Sequence, residues 1–186
     1  DLYWNNIGPE GASALAAILK ETRISKLNLG LNSLGPEGGA ALAEGLKGNS
    51  TLQSLDLAGN HLCGVDGYGN GTYTAEGITK LCEGLKSSAV ISLELSNNQL
   101  CGLDRWGDGT YTAEGITKLC EGLKGSAVTS LDVDGHTLQI DQLKGTTPTD
   151  KIDISGKGLG VASVIIIASC IKENGVLKEL NLGGNR

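Results

Sequence analysis

Four carboxylates stand at matching positions of short apolar triplets: Leu55-Asp56-Leu57, Leu93-Glu94-Leu95, Leu131-Asp132-Val133 and Ile152-Asp153-Ile154. In a strand, the outer two residues of such a triplet share one face and the middle residue points to the other. Strands stacked about 4.8 Å apart would line up Asp56, Glu94, Asp132 and Asp153, with Asn28 and Asn181 closing the series. Like charges opposed on neighbouring strands repel each other, so the expected ladder suits a cationic partner. Ser54, Ser92 and Ser130 form the adjoining column and are small enough to leave the acids accessible. The plainer reading is a row of solvated strand positions.

Two segments, CGVDGYGNGTYT (63–74) and CGLDRWGDGTYT (101–112), hold four of the six aromatic residues. Exposed aromatics on loops anchor many interfaces, and Tyr68 and Trp106 are the expected anchors. Tyr73 and Tyr111 stand next to the following helix and are expected to pack against it. Asp66 with Asn70, and Asp104 with Asp108, have the opening spacing of a calcium loop. Its third position, however, is aromatic here, and Gly77 or Gly115 stands where the bidentate Glu is required, so no metal is expected. His61 and His136 have no Ser or Cys nucleophile aligned with them, and no phosphate-cradling glycine motif is present. The reading is therefore non-catalytic and without a cofactor.

These residues are carried by a repeat. Residues 24–51, ISKLNLGLNSLGPEGGAALAEGLKGNST, restart 28 positions later at LQSLDLAGN. Each unit runs through a strand triplet, an asparagine, a glycine-rich turn and an amphipathic helix. The helical apolar face falls at i, i+3, i+4 and i+7. It reads Ala12, Leu15, Ala16, Leu19 in the first copy, then Gly39, Leu42, Ala43, Leu46, with Val164, Ile167, Ala168, Ile171 in the last. Pro9 and Pro36 suit first helical turns, and Thr74 and Thr112 are the matching cap candidates. A second column, Asn5, Asn32, Asn60, Asn98, His136, Lys157 and Asn185, comes after the strands. Its amides can satisfy backbone groups where the chain leaves a strand.

The pattern LxxLxLxxNxLGPEGxxxLAxxLKxN resembles the ribonuclease-inhibitor-like class of leucine-rich repeats over essentially the whole chain. The resemblance implies an α/β solenoid, a right-handed horseshoe with a parallel sheet on the concave side and helices on the convex side. Some similar repeats stimulate small GTPases, as the Ran GTPase-activating proteins do, but no residue here marks that activity. Residues 1–186 read as one array of about six repeats. Two of these carry ten-residue inserts, one is shortened, and both ends fall mid-repeat. The 16 residues Gly71–Lys86 recur unchanged as Gly109–Lys124. Only 21 residues separate Val133 from Ile154, and Thr137–Asp150 lacks a helical pattern, so irregular curvature is expected there.

An open solenoid offers an extended surface and no enclosed pocket, which argues for a protein-interaction or scaffold module. An architectural subunit of a larger assembly is the alternative. The balance of 21 acidic against 15 basic residues, net −6, points away from nucleic acid and towards a protein with a basic surface. No apolar run is long enough for membrane insertion. Cys82 and Cys120 occupy small helical core positions, and an odd count of five cysteines suits an intracellular, reducing compartment. Asn49-Ser50-Thr51 and Asn70-Gly71-Thr72 are formal glycosylation sequons.

Overall fold

The structure, a computed structural model, describes residues 1–185. The elements run α1 (Gly8–Leu19), β1 (Lys26–Asn28), α2 (Gly35–Leu46), β2 (Ser54–Asp56), α3 (Glu76–Leu85), β3 (Ser92–Glu94) and α4 (Glu114–Leu123). They continue with β4 (Ser130–Asp132), β5 (Thr137–Gln139), α5 (Ile140–Lys144), β6 (Lys151–Asp153), α6 (Val161–Ile171) and β7 (Glu179–Asn181). Strand and helix alternate along most of the chain, giving an α/β solenoid. From β1 to β4 the strands are parallel and in register, with Leu27, Leu55, Leu93 and Leu131 forming one buried row. Each such leucine contributes about 1.5–3 kcal/mol by leaving water. Leu2 N extends the ladder by donating to Asn28 O at 2.9 Å.

Successive helices approach so closely that a column of glycine is required between them. A Cβ on Gly84 would lie 2.4 Å from Ala43 O, and one on Gly45 2.6 Å from Ala16 O. At Pro9 and Pro36 the helices begin with proline in the first turn, where its missing N–H costs nothing. Thr74 and Thr112 accept from Glu76 N and Glu114 N at 3.2 Å, each one residue ahead of the cap position.

Beyond β4 the expected all-parallel sheet gives way. β5 turns back and pairs antiparallel with β4, matching Leu131 with Leu138 and Asp132 with Thr137. The short helix α5 comes directly after it, and β6 and β7 form a separate two-stranded parallel sheet. A three-residue strand and a five-residue helix leave no room for the crossover that a parallel neighbour needs. One contiguous core nevertheless runs from α1 to α6, because α6 packs on both α4 and α5.

The orientation of α6 also differs from the expected face. Ala162, Ser163, Ile166, Ile167 and Cys170 are buried, whereas Val164 and Ala168 are exposed. The segment VASVIIIASCI is apolar almost all round, so no polar stripe sets its rotation. Its unusual neighbours, the short α5 and the more distant α4, set it instead.

Candidate functional site

The asparagine column forms a ladder of reciprocal bonds between consecutive repeats. Asn60 Oδ1 accepts from Asn32 N at 3.0 Å and Leu34 N at 3.4 Å, while its Nδ2 donates to Leu29 O at 2.8 Å. Asn98 does the same for the repeat before it, accepting from Asn60 N and Leu62 N, both at 3.1 Å, and donating to Leu57 O. Asn32 serves Asn5 N and Ile7 N, and Asn185 serves Lys157 N and Leu159 N. Each asparagine therefore completes the turn of the preceding repeat. The ladder breaks at His136, whose side chain has no hydrogen bond among the described residues, and resumes with Asn185 bonding Lys157 N.

The acids on the strands have a structural duty that their alternation did not reveal. Each accepts a backbone N–H from the turn after its strand: Asp56 from Ala58, Glu94 from Ser96, Asp132 from Gly135, and Asp153 from Ser155. Asn28 and Asn181 do likewise for Gly30 and Gly183. Asp56, Glu94 and Asp132 stand directly opposite one another on β2, β3 and β4. Asp153 does not join them. It lies on β6, opposite Asn181, whose amide donates to it at 3.1 Å. The antiparallel turn at β5 ends the first sheet before β6 can add to it.

Burial lifts the Glu94 carboxyl above its ordinary value, and the Asp132 and Asp56 charges raise it further against the opposing Ser96 hydrogen bonds. Burial likewise raises Asp132, partly offset by the Gly135 N–H and by His136. Asp153 goes the other way, held low first by the Ser155 hydroxyl. None of the four ion pairs among the described residues, Lys47–Glu44, Lys80–Glu83, Lys118–Glu121 and Lys151–Glu179, involves Asp56, Glu94 or Asp132.

The two inserts lie side by side as small hairpin loops, each closed by a bridge, Val65 to Gly71 and Leu103 to Gly109. Asp66 Oδ1 accepts from Tyr68 N and Asn70 N, and Asp104 Oδ1 from Trp106 N and Asp108 N. The calcium-like spacing thus serves to fold the loop on itself. Tyr68 and Trp106 are each 63% exposed, with ring centroids 5.7 Å apart. The Arg105 guanidinium lies 4.1 Å from the Tyr68 ring centre and 5.0 Å from that of Trp106, and its Nε donates to Gly67 O. A cation lying beside two rings within such distances is attracted by both. Arg105 replaces the Gly67 of the sister insert, and that departure between duplicates was the available signal.

Tyr73 packs as expected, donating to Leu100 O at 3.2 Å and accepting from Gly115 N at 2.8 Å. Tyr111, expected to do the same, is 51% exposed. The next repeat would have to supply its partners, and the chain folds into the β4–β5 hairpin instead. Asp134 is a further residue that strand periodicity missed. Its carboxylate accepts from Gly160 N at 2.9 Å and Ser163 N at 3.0 Å, capping α6 from across the break. Small residues (Gly30, Ala58, Ser96, Ser155 and Gly183) hold that column elsewhere, so an acid there was legible as an exception.

All five cysteines are buried and free. Burial pushes the thiols of Cys63 and Cys82 up to about 12 and that of Cys101 up to about 11, which keeps them protonated and poor nucleophiles. Asn49 is 4% exposed, and its amide donates to Leu19 O at 2.7 Å, so this sequon is closed to glycosylation in the folded chain. Asn70 is exposed, with its amide on Asp66. Among the described residues no group of three His, Cys, Asp or Glu is placed to hold a metal, and no helix is long and apolar enough to cross a membrane.

The family model described as Leucine Rich repeat matches residues 1–16, 24–43 and 48–64. These stretches are similar to leucine-rich repeats. The match ends where the first insert begins, and the parallel strand register continues through β3 and β4. No curated protein matches the chain. Leucine-rich repeats generally mediate protein–protein interaction and are typically non-catalytic.

Proposed function

We propose that this chain is a protein-binding module whose contact surface combines the Asp56–Glu94–Asp132 row with the Tyr68–Arg105–Trp106 cluster. The observation that carries the reading is the cluster itself. Two exposed rings from separate repeats are fixed around one guanidinium before any partner arrives. Rigid aromatic and arginine anchors lose little freedom on binding and dominate interface energetics. The chain passes from Asp56 and from Glu94 through one asparagine turn directly into an insert, so acids and aromatics belong to the same two repeats. The partner is a protein with a basic surface, because the unpaired acids, half-buried at Asp56 and Glu94 and only 8% exposed at Asp132, gain most from an incoming Lys or Arg. Asp153, on the second sheet, falls outside this surface. The five unpaired buried cysteines support a reducing compartment.

The test is capture from native extract with the whole chain, followed by affinity measurement on the protein captured. Tyr68→Ala with Trp106→Ala should weaken binding at least about tenfold, the scale of one good hot spot. Asp56→Asn, Glu94→Gln and Asp132→Asn together should flatten the salt dependence. Unchanged affinity in the first variant and an unchanged salt slope in the second would remove the reading.

A further inference from the structure

The break in the asparagine ladder leaves a defined set of unmet hydrogen-bond groups. In the four intact junctions, one carboxamide oxygen takes two backbone N–H groups of the preceding turn. The corresponding donors at the break are Asn98 N and Leu100 N. Neither has an acceptor among the described residues, although Asn98 and Leu100 are 1% and 4% exposed. Asn97 N is a third. Its counterparts Trp4 N, Leu31 N, Gly59 N and Gly156 N all donate to a carbonyl of the next repeat. Buried backbone donors without partners are uncommon, because each carries a desolvation penalty.

Asn97, Asn98 and Leu100 line a groove of about 400 Å³ between the Asn98 turn and the start of α6, with Asp104, Arg105, Asp134 and Val161 also on its walls. The groove occupies the place where a full-length repeat would have put its own asparagine. His136 lies in the turn of the hairpin and is not among the groove's lining residues, and Asp134 caps α6.

We propose that this groove receives the side-chain amide of an asparagine or glutamine presented by a protein partner. Its oxygen accepts from Asn98 N and Leu100 N, repeating the 2.9–3.4 Å contacts of the intact junctions. Its nitrogen donates to Leu95 O, as Asn32, Asn60, Asn98 and Asn185 donate to Leu2, Leu29, Leu57 and Ile154. A carboxylate fits less well. It has no proton for Leu95 O, and it meets Asp104 and Asp134 with only Arg105 to offset them. The proposal rests on the protein-binding reading above and adjoins its surface, since Arg105 and Trp106 also line the groove.

The experiment tracks backbone amide resonances of the whole chain during titration with N-acetyl-asparagine methylamide, its aspartate analogue and its leucine analogue. The asparagine probe should shift Asn98 and Leu100 saturably, and the aspartate probe should bind about tenfold more weakly, as like-charge juxtaposition requires. The leucine probe should leave both amides unmoved. Hydrogen exchange of the free chain should be faster at Asn98 and Leu100 than at Asn60 and Leu62. Val161→Trp, a change at an exposed wall position, should abolish the asparagine response. Equal responses to all three probes, none at these two amides, or an undiminished response in V161W would each overturn the proposal. If Tyr68 and Trp106 still govern partner capture in that event, the interaction surface stands and the groove alone falls.

Discussion

The repeats spanning Asn60–Lys86 and Asn98–Lys124 share an identical 16-residue stretch, yet the same residues do different work in each. Tyr73 bridges to the next repeat through two hydrogen bonds, whereas its twin Tyr111 stands in solvent. Asn60 N and Leu62 N are closed by Asn98, whereas Asn98 and Leu100 line a groove. Tyr73 and Tyr111 lie in identical stretches and the strand register is the same, so their difference comes from the unit on the C-terminal side of each. In a quasi-one-dimensional fold each unit is completed by its neighbour, and the fourth unit has a hairpin where the third has a repeat.

The largest way to break this comparison is at the asparagine that serves one repeat and lies within the other. Asn98→Ala strands Asn60 N, Leu62 N and Leu57 O in the interior and should cost about 3 kcal/mol or more. His136→Ala, at the equivalent point after the break, should stay within about 0.5 kcal/mol. Both are read by urea unfolding, and equal losses would contradict the asymmetry. Next comes the tyrosine pair. Tyr73→Phe leaves Leu100 O and Gly115 N unpaired at a partly buried site and should cost about 1–3 kcal/mol, while Tyr111→Phe should be close to neutral on the same assay.

The smallest effect concerns the acids shared between the two repeats. Glu94 is raised in the folded state, so folding disfavours its charged form, and the penalty is fully present above the folded value. It disappears once pH falls below the unfolded value of 4.5, where both states are protonated. Glu94→Gln, which can still accept from Ser96 N, should therefore gain no more than about 0.5 kcal/mol at pH 7 after solvent screening. The two unfolding curves should converge below pH 4.5. A loss at pH 7 would show that the carboxylate is compensated.

The strand register from β1 to β4 was legible because one apolar–x–apolar triplet recurs with its asparagine at fixed distance, and each copy reinforces the others. The ladder of Asp56, Glu94 and Asp132 came with it. The hairpin was not legible. Thr137-Leu138-Gln139 offers only three residues of alternation, too few to declare a strand or its direction, although the shortened spacing did mark the place. Asp153 reads as a member of the ladder because its triplet looks like the others, and only the reversal at β5 separates it. The face of α6 failed for a compositional reason, since a helix apolar on all sides has no preferred stripe. Tyr111 failed for a topological one: its environment depends on residues that fold elsewhere.

The direction of the asparagine bonds has a consequence for how the chain is made. Every amide reaches backward, finishing a turn that was synthesised earlier. A nascent chain leaving the ribosome therefore always carries one open turn at its growing end, and the arrival of the next coil seals it. After Asn98 that seal does not come, so the open turn at that moment is a permanent frontier and not a passing one.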